Sequence, residues 1–338
     1  MSPLKLLFYK SCSFLPMEYL QKISPATTLL PYHHTVSNGA LPHVRHLYPY
    51  KNVQQFTQDL DTLLKYNKPI SADDLNECVI QHKPFPKKTF LLSFDDGLRE
   101  VHDIIAPILE AKGVPAVFFI NPAFINNSQL FLRAKASVLI HELVNAKNNE
   151  LVNEYRNHFN LINASETELI NILKSIRIND STILDNLAVK TGYSFKDFLL
   201  KQQPYLTTAQ LVSLKSRGFA IGGHSINHPY YEQLSLAEQL EQTIASCHYV
   251  QQQTAMKNQY FSFPFNDANL PQALFDELKN TGINLFFGLQ NQKDEIENKM
   301  LHRFNAERSF VKFDSQLKGI LLLAFLNKFF GKNTVHRS

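Results

Sequence analysis

The chain has 338 residues, 44% hydrophobic and 19% charged, which is typical of a globular protein with one large domain or two smaller ones. The net charge of +4, without a dense basic run, argues against nucleic acid as a partner. Cys12, Cys78 and Cys247 are scattered, which excludes a disulfide framework and a zinc ribbon and favours a reducing compartment.

Both ends of the chain are apolar segments interrupted by lysine. Residues 1–25 show no clear signal-peptide cleavage pattern, so we predict an N-terminal amphipathic helix there. Residues 311–338 contain a seven-residue apolar run that is too short to span a bilayer, and we predict a second amphipathic helix. Each helix could pack on the core or lie on a membrane surface. The expected location is therefore cytoplasmic or peripheral to the membrane.

Strands and helices alternate between these ends. In chain order, apolar spacing and turn residues predict a strand at 26–36, a helix at 53–66, a strand at 88–94, a helix at 98–113, a strand at 114–120, a strand at 219–225, a helix at 232–253, and strands at 259–265 and 284–289. This alternation indicates a parallel sheet or barrel, with parts at 26–125 and 204–310. Residues 126–203 are helical and polar, and we interpret them as an insertion that covers or extends a site.

Three polar clusters follow predicted strands, where βα folds place their active sites. Asp95 and Asp96 follow LLSF, His224 and His228 lie in GGHSINHP, and the third cluster is FSFPFN. Each cluster alone also fits an ordinary turn or a chance pair of histidines. Together, one aspartate and two histidines offer three ligands to a divalent ion and leave positions open for water and substrate. The second aspartate can then take a proton from the metal-bound water.

The segments SFDDG, HSINHP and FSFPFN, in this order, resemble the motifs of the polysaccharide deacetylase family, which has a NodB-homology domain and is also known as carbohydrate esterase family 4. The similarity covers about residues 26–125 and 204–310, and the upstream PYHHTVS resembles a strand found in many members. The resemblance implies an α/β fold, a distorted (β/α)7 barrel of NodB type with a helical insertion.

The resemblance also implies roles for the residues of the first two motifs. Asp95 would be the general base, and Asp96, His224 and His228 would hold one divalent metal ion. Zinc is the expected ion, with cobalt, nickel and manganese as alternatives.

Further residues are expected to contact the substrate or the ligands. Ser225 would orient a ligand or the substrate by a hydrogen bond, and the backbone N–H of Phe265, after Pro264, would help to stabilise the oxyanion. His33 and His34 lie on the first strand, where alternation allows only one ring to point inward, and we favour His33.

Two departures from the family pattern concern the base and the acid. Ser262 stands where many members carry an arginine that tethers the base, and Asn266 stands where glycine is usual. The late LxH motif, which often provides the general acid, is matched best by MLH with Met300 and His302. The sequence leaves open whether His302 is the acid or only ends a strand, with Arg303 as the residue in the pocket.

The resulting hypothesis is a metal-dependent hydrolase that removes acetyl from N-acetylated sugar units of a glycan or glycan precursor, with an acetylated carbohydrate as its partner. One alternative is a deformylase or O-acetyl esterase that acts on a lipid-linked sugar, which the amphipathic ends would suit. Another is an inactive glycan-binding module, which the absence of arginine at position 262 would favour.

Overall fold

The computed structural model describes residues 3–146, 149–177, 180, 182–295 and 298–337. These residues form twelve strands: β1 Thr28–Leu29, β2 Pro31–His33, β3 Lys68–Pro69, β4 Thr89–Phe90, β5 Leu92–Phe94, β6 Ala116–Ile120, β7 Ala220–Gly223, β8 Gln259–Ser262, β9 Ile283–Gly288, β10 Asp294–Glu295, β11 Met300–His302 and β12 Phe304–Asn305. Nine of them form one curled sheet in the order β10-β11-β9-β8-β7-β6-β5-β2-β12, and β1, β4 and β3 form a small separate sheet. Every pair of neighbours in the large sheet is parallel except β10 and β11.

The large sheet curls because its two ends meet at one residue. Strand β11 pairs with β9 near one edge, and β12 pairs with β2 at the other. Only Arg303 separates β11 from β12 in the chain, so the two edges are brought together. The architecture is the distorted α/β barrel of NodB type that the sequence predicts.

In the described ranges, the sheets are accompanied by fourteen α-helices: α1 Pro3–Ser11, α2 Met17–Ile23, α3 Val53–Tyr66, α4 Ala72–Ile80, α5 Ala106–Ala111, α6 Leu132–Val144, α7 Asn149–His158, α8 Glu166–Ser175, α9 Thr182–Lys190, α10 Phe195–Gln202, α11 Thr208–Ser216, α12 Leu236–Thr254, α13 Gln272–Leu278 and α14 Phe313–Phe329. A π-helical turn at Val101–Ile105 leads into α5. No helix in the described part of the chain is long and apolar enough to cross a membrane.

Helix α3 shows how local sequence defines an element. Asn52 accepts a hydrogen bond from the Gln55 N–H, and the Gln55 side chain accepts one from the Asn52 N–H, so this capping box begins the helix. Phe56, Leu60 and Leu63 recur on one face and are buried, each contributing about 1.5–3 kcal/mol to stability. The helix spans the range predicted from this spacing.

Strand alternation separates two apolar layers. Leu92 and Phe94 point to the outer face of β5 and pack in the core that includes α3 and α5. Leu91, between β4 and β5, belongs instead to a cluster on the other face with Phe119 and Phe287. The same alternation decides which polar residues at the strand ends reach the inside of the barrel.

Helices α6 to α10 cover most of residues 126–203 and have an apolar cluster of their own, which includes Leu139, Tyr155, Leu169 and Leu187. At the chain ends, α1 packs against α14 where Tyr9 lies beside Gly319, so close that an added Cβ would be 2.4 Å from the tyrosine ring. The domain boundaries stay a prediction.

Candidate metal centre and active site

The chain turns sharply after β5, and this turn brings two carboxylates to the same place. Asp96 has a φ of 73° and Gly97 a φ of 61°, so both adopt the left-handed conformation. A Cβ at Gly97 would lie 3.2 Å from the Ile120 side chain, so glycine fits this close turn. Asp95 and Asp96 are both buried at the carboxyl end of the sheet.

Asp96 lies between two histidines that follow β7. Its Oδ1 atom is 3.6 Å from His224 Nε2 and 3.2 Å from His228 Nε2. This oxygen is buried and has no hydrogen-bond partner by geometry among the described residues. The His224 Nδ1 atom lies 2.7 Å from the Ser262 carbonyl oxygen, to which it must donate, so the His224 Nε2 lone pair is directed toward Asp96.

The charge states of this cluster suit a cation. Burial lowers the pKa of His224 to about 4, so the ring is neutral and able to ligate. Burial opposes ionisation of Asp96, but the close approach of His228 and the charge of His34 outweigh it and hold its pKa well below the usual range. One carboxylate and two imidazoles with ligand atoms within 4.8 Å of one another therefore fit a divalent ion.

Asp95 forms a bidentate ion pair with Arg303. Arg303 Nη1 is 2.7 Å from Asp95 Oδ1, and Nη2 is 2.9 Å from Oδ2. The same Nη2 donates to the Ser262 hydroxyl at 2.6 Å, and Nη1 donates to the Ser93 hydroxyl at 2.9 Å. Burial alone would raise the pKa of Asp95, but the guanidinium outweighs it and lowers that pKa. The arginine that is absent at position 262 is thus supplied by position 303.

Ser225 and Asn121 hold the loop that carries the two histidines. Ser225 Oγ accepts a hydrogen bond from the His228 N–H at 3.0 Å, and Asn121 Nδ2 donates to the carbonyl oxygens of His224 and Ser225. Both Ser225 and His228 have positive φ, at 64° and 59°. These contacts stabilise a costly backbone conformation beside the cluster. Asn121 was not identified from the sequence, because nothing local distinguishes it.

Phe265 also has a positive φ, 56°, which is unusual for a bulky residue. Its ring stacks on Tyr230 with centroids 3.9 Å apart and planes 3° apart, and it meets the His228 ring edge-on at 4.4 Å. Pro264, just before it, is buried. The third motif therefore lies directly against the histidine loop.

His34, not His33, lies beside the cluster. Its Nδ1 atom is 2.7 Å from Glu307 Oε2, and its ring stacks on Tyr48, whose hydroxyl donates to Asp96 Oδ2 at 3.0 Å. Burial would lower the pKa of His34, but Glu307 outweighs it and raises the pKa to about 9. The structure places the ring of His33 on the outer face instead, where it stacks with Phe94 at 5.6 Å.

His302 is not brought to this cluster, because successive side chains of an extended chain point to opposite faces and the next residue, Arg303, points to the cluster. Its Nε2 atom is 2.8 Å from Glu295 Oε2, and its Nδ1 atom is 3.6 Å from Asp267 Oδ2. Both carboxylates also pair with Arg337. A cleft of about 1200 Å³ borders His302 and Glu295 rather than Asp96. The sequence leaves open whether His302 is the general acid, and this placement favours the alternative, in which His302 ends a strand and Arg303 is the residue in the pocket.

Comparison with known proteins shows the family of this chain. The family model for polysaccharide deacetylase matches residues 82–286, more than half of the chain. The chain belongs to the polysaccharide deacetylase family, and its enzyme class is that of a carbohydrate deacetylase. No curated protein matches the sequence.

Several solved structures are similar to this chain. The deacetylase PplD of Streptococcus pyogenes in complex with acetate has a TM-score of 0.56 at 13% identity, covering 88% of this chain and 99% of that one. IcaB from Ammonifex degensii has a TM-score of 0.54 at 13% identity, covering 87% and 98%. A polysaccharide deacetylase from Bacillus cereus has a TM-score of 0.52 at 9% identity, covering 87% and 69%. At such low sequence identity, these structural similarities show a shared fold and nothing finer.

Proposed function

We propose that this deacetylase is a metal-dependent hydrolase that removes acetyl groups from N-acetylated sugar units of a glycan or glycan precursor. The observation that carries the proposal is the convergence of Asp96, His224 and His228 beside the ion pair of Asp95 and Arg303. Three ligand atoms beside an ionised carboxylate are the arrangement that hydrolysis at a metal requires.

Asp96, His224 and His228 would hold one divalent ion, which supplies a Lewis acid for the substrate carbonyl when bound. Two nitrogen ligands and one oxygen ligand favour zinc, cobalt or nickel over magnesium or calcium, which prefer oxygen ligands alone. We propose zinc as the first ion to test, with manganese as a further alternative.

Asp95 is proposed as the general base that takes a proton from the attacking water. Arg303 favours the ionised carboxylate and fixes its orientation through both oxygens. This pair removes the main reason to interpret the chain as an inactive glycan-binding module, because the tethering arginine is present at another position in the chain. The Phe265 N–H is proposed to donate to the oxyanion of the tetrahedral intermediate.

We propose His34 as the general acid that protonates the leaving amine. Glu307 accepts a hydrogen bond from His34 Nδ1, which leaves Nε2 as the nitrogen that can transfer a proton. Glu307 also accepts from the backbone N–H of His34 at 2.6 Å, so the carboxylate fixes both the ring and the strand end. The surroundings of His302, which is fully paired with acidic groups, support no such transfer.

We propose in addition that the terminal helices contact a membrane surface. Residues 1–25 and 311–338 carry eight Lys and Arg residues and two acidic residues, so the rest of the chain is net negative. Large apolar side chains in these segments are exposed, including Phe14 at 90%, Leu4 at 77% and Phe329 at 73%. Basic charge combined with exposed apolar side chains favours an anionic lipid surface.

Sedimentation with vesicles tests this contact. We expect wild-type protein to bind vesicles that contain phosphatidylglycerol and not pure phosphatidylcholine, and we expect Phe14→Ser with Phe329→Ser to weaken binding. Ile162→Ser, which changes another apolar side chain that is 74% exposed, is the matched control. Equal binding by both variants would contradict the contact.

The deacetylase proposal is tested by metal content and product release. We expect about one divalent ion per chain in purified protein, lost in His224→Ala and His228→Ala, and acetate release from N-acetylated glucosamine oligomers. Release of formate from N-formylated sugars, or of acetate only from O-acetylated sugars, would favour the alternative hydrolases. Protein that binds no ion after incubation with zinc, cobalt or nickel would contradict the proposal.

A further inference from the structure

Two arginines from the helical segment meet at one tyrosine beside the candidate active site. Arg133 Nη1 donates to the Tyr230 hydroxyl at 2.6 Å. The guanidinium of Arg177 lies over the ring of Tyr230, 5.1 Å from its centroid. All three side chains are partly exposed, so a ligand from solution can reach them.

Neither arginine is explained by an ion pair. Within the described ranges of the chain, no carboxylate lies within salt-bridge distance of Arg133 or Arg177, whereas Lys135 of the same helix is 2.6 Å from Asp185. Arg133 is the second residue of α6, and a cation in the first turn of a helix is electrostatically unfavourable. The position of Arg133 therefore does not serve the stability of α6, whereas Arg177 caps the end of α8 by donating to the carbonyl oxygens of Lys174 and Ser175.

Around Tyr230, the two guanidinium groups have more hydrogen-bond donors than the protein has acceptors for them. Arg177 Nη1 donates to the Ser175 carbonyl oxygen at 3.0 Å, and the remaining N–H groups of a guanidinium can serve a ligand. The Tyr230 hydroxyl accepts from Arg133 and still has a proton to donate. Two guanidinium groups and a hydroxyl suit a carboxylate or a phosphate, which accepts several charge-assisted hydrogen bonds.

Tyr230 connects the two arginines to the candidate metal centre. One face of its ring stacks on Phe265, and the Phe265 ring in turn contacts the His228 ring at 4.4 Å. Tyr230 follows the second motif by one residue, since it comes directly after His228 and Pro229. A substrate whose acetyl group lies at the centre would thus place a neighbouring substituent near the two arginines.

We propose that Arg133, Arg177 and Tyr230 form a subsite for a negatively charged group of the acetylated sugar substrate, either a carboxylate or a phosphate. The inference rests on the proposed function. It assigns a role to the helical segment 126–203, which would make the enzyme selective for negatively charged substrates. Neutral N-acetylated sugars would bind without this contribution, and anionic ones would bind more tightly.

The test is calorimetric titration of the metal-loaded protein with three probes: N-acetylglucosamine, N-acetylglucosamine 1-phosphate and N-acetylglucosaminuronic acid. We expect at least one anionic sugar to bind about tenfold or more tightly than the neutral one, as charge-assisted hydrogen bonds imply. The double variant Arg133→Gln with Arg177→Gln is expected to lose this preference. Lys174→Gln, which removes one positive charge from the same segment, is the control and should keep it.

The anionic probe that binds more tightly assigns the group as phosphate or carboxylate. Equal binding of all three probes by the wild type would overturn the subsite, as would a preference that survives in the double variant. Binding of inorganic phosphate alone, with no gain from the sugar, would also overturn it. Failure of the proposed deacetylase function would show differently, because the metal would be absent and no acetate would be released from any acetylated sugar.

Discussion

Two buried clusters in this protein present the same kinds of metal-binding atoms. One contains Asp96, His224 and His228, and the other contains Asp267, Glu295 and His302. In the second, the side chain of Arg337 is fully buried and pairs with both carboxylates, at 3.0 Å from Asp267 Oδ2 and 2.7 Å from Glu295 Oε2. These are separate places in the fold, although each combines carboxylate and imidazole.

The difference lies in which cation balances the acidic groups. In the second cluster, burial would raise the pKa of Glu295, but its bonds to His302 and Arg337 lower it to about 2. Its charge is therefore already paired within the chain. In the first cluster, the Asp96 oxygen that faces both imidazoles has no hydrogen-bond donor among the described groups. Suitable ligand atoms alone therefore do not identify a metal site. A stronger criterion is that the carboxylate among them lacks a cationic partner within the protein.

The largest expected effect separates the two clusters by metal content. His228→Ala should lose the divalent ion and all detectable activity, because one of three ligands is removed. His302→Ala should keep the ion, since its cluster is balanced by Arg337. Elemental mass spectrometry on both purified variants decides this, and metal loss in His302→Ala alone would reverse the assignment.

Replacing the base should separate binding from turnover within the first cluster. Asp95→Asn is expected to retain the ion and lower kcat by about 10²–10⁴-fold, the usual contribution of a general base. Metal content, thermal unfolding and acetate release are measured together, because Arg303 loses its charged partner in this variant. Wild-type kcat with one bound ion would rule out Asp95 as the base.

Removing the cation from the second cluster should make it resemble the first. Arg337→Ala leaves two buried carboxylates without their counter-charge, which should lower the free energy of unfolding by about 3–5 kcal/mol. Denaturant unfolding measures this loss. Added zinc should restore part of it by entering the vacated place, whereas Lys332→Ala on the same tail should leave both measurements unchanged. A variant as stable as the wild type would show that the pair contributes nothing.

The smallest effect concerns the proposed acid. Glu307→Gln removes the carboxylate that raises the pKa of His34 to about 9, so the ring should lose its proton at lower pH. The alkaline limb of the pH–activity profile should therefore shift to lower pH. Near neutral pH, kcat should be reduced about tenfold. The pH dependence of kcat tests this, and an unchanged alkaline limb would exclude His34 as the donor.

The sequence identifies those residues whose pattern is formed by neighbours a few positions away in the chain. The helix at 53–66 is defined by its capping box and apolar spacing, and Asp95, Asp96, His224 and His228 by short motifs after strands. Motifs, strand ends and turns of this kind can be recognised from the residues next to them in the chain. Their placement at one edge follows from the parallel sheet.

The partners that complete the candidate site are distant in sequence. Arg303 is 208 residues from Asp95, and Glu307 is 273 residues from His34. Arg303 is a candidate from the sequence only because it follows MLH, and no local pattern indicates its pairing with Asp95 or distinguishes Glu307 from other acidic residues. The direction of His302 also could not be predicted, because shifting a strand by one residue exchanges its two faces.

The sequence by itself determined the family, the α/β barrel and the four residues proposed as base and metal ligands, since motif chemistry and periodicity are local properties. The tertiary structure alone decided that Arg303 supplies the arginine absent at position 262, that His34 rather than His33 lies inside, and that Arg337 balances the second cluster. Closing the sheet brings chain ends and distant strands together, and only that closure sets which buried charge meets which partner.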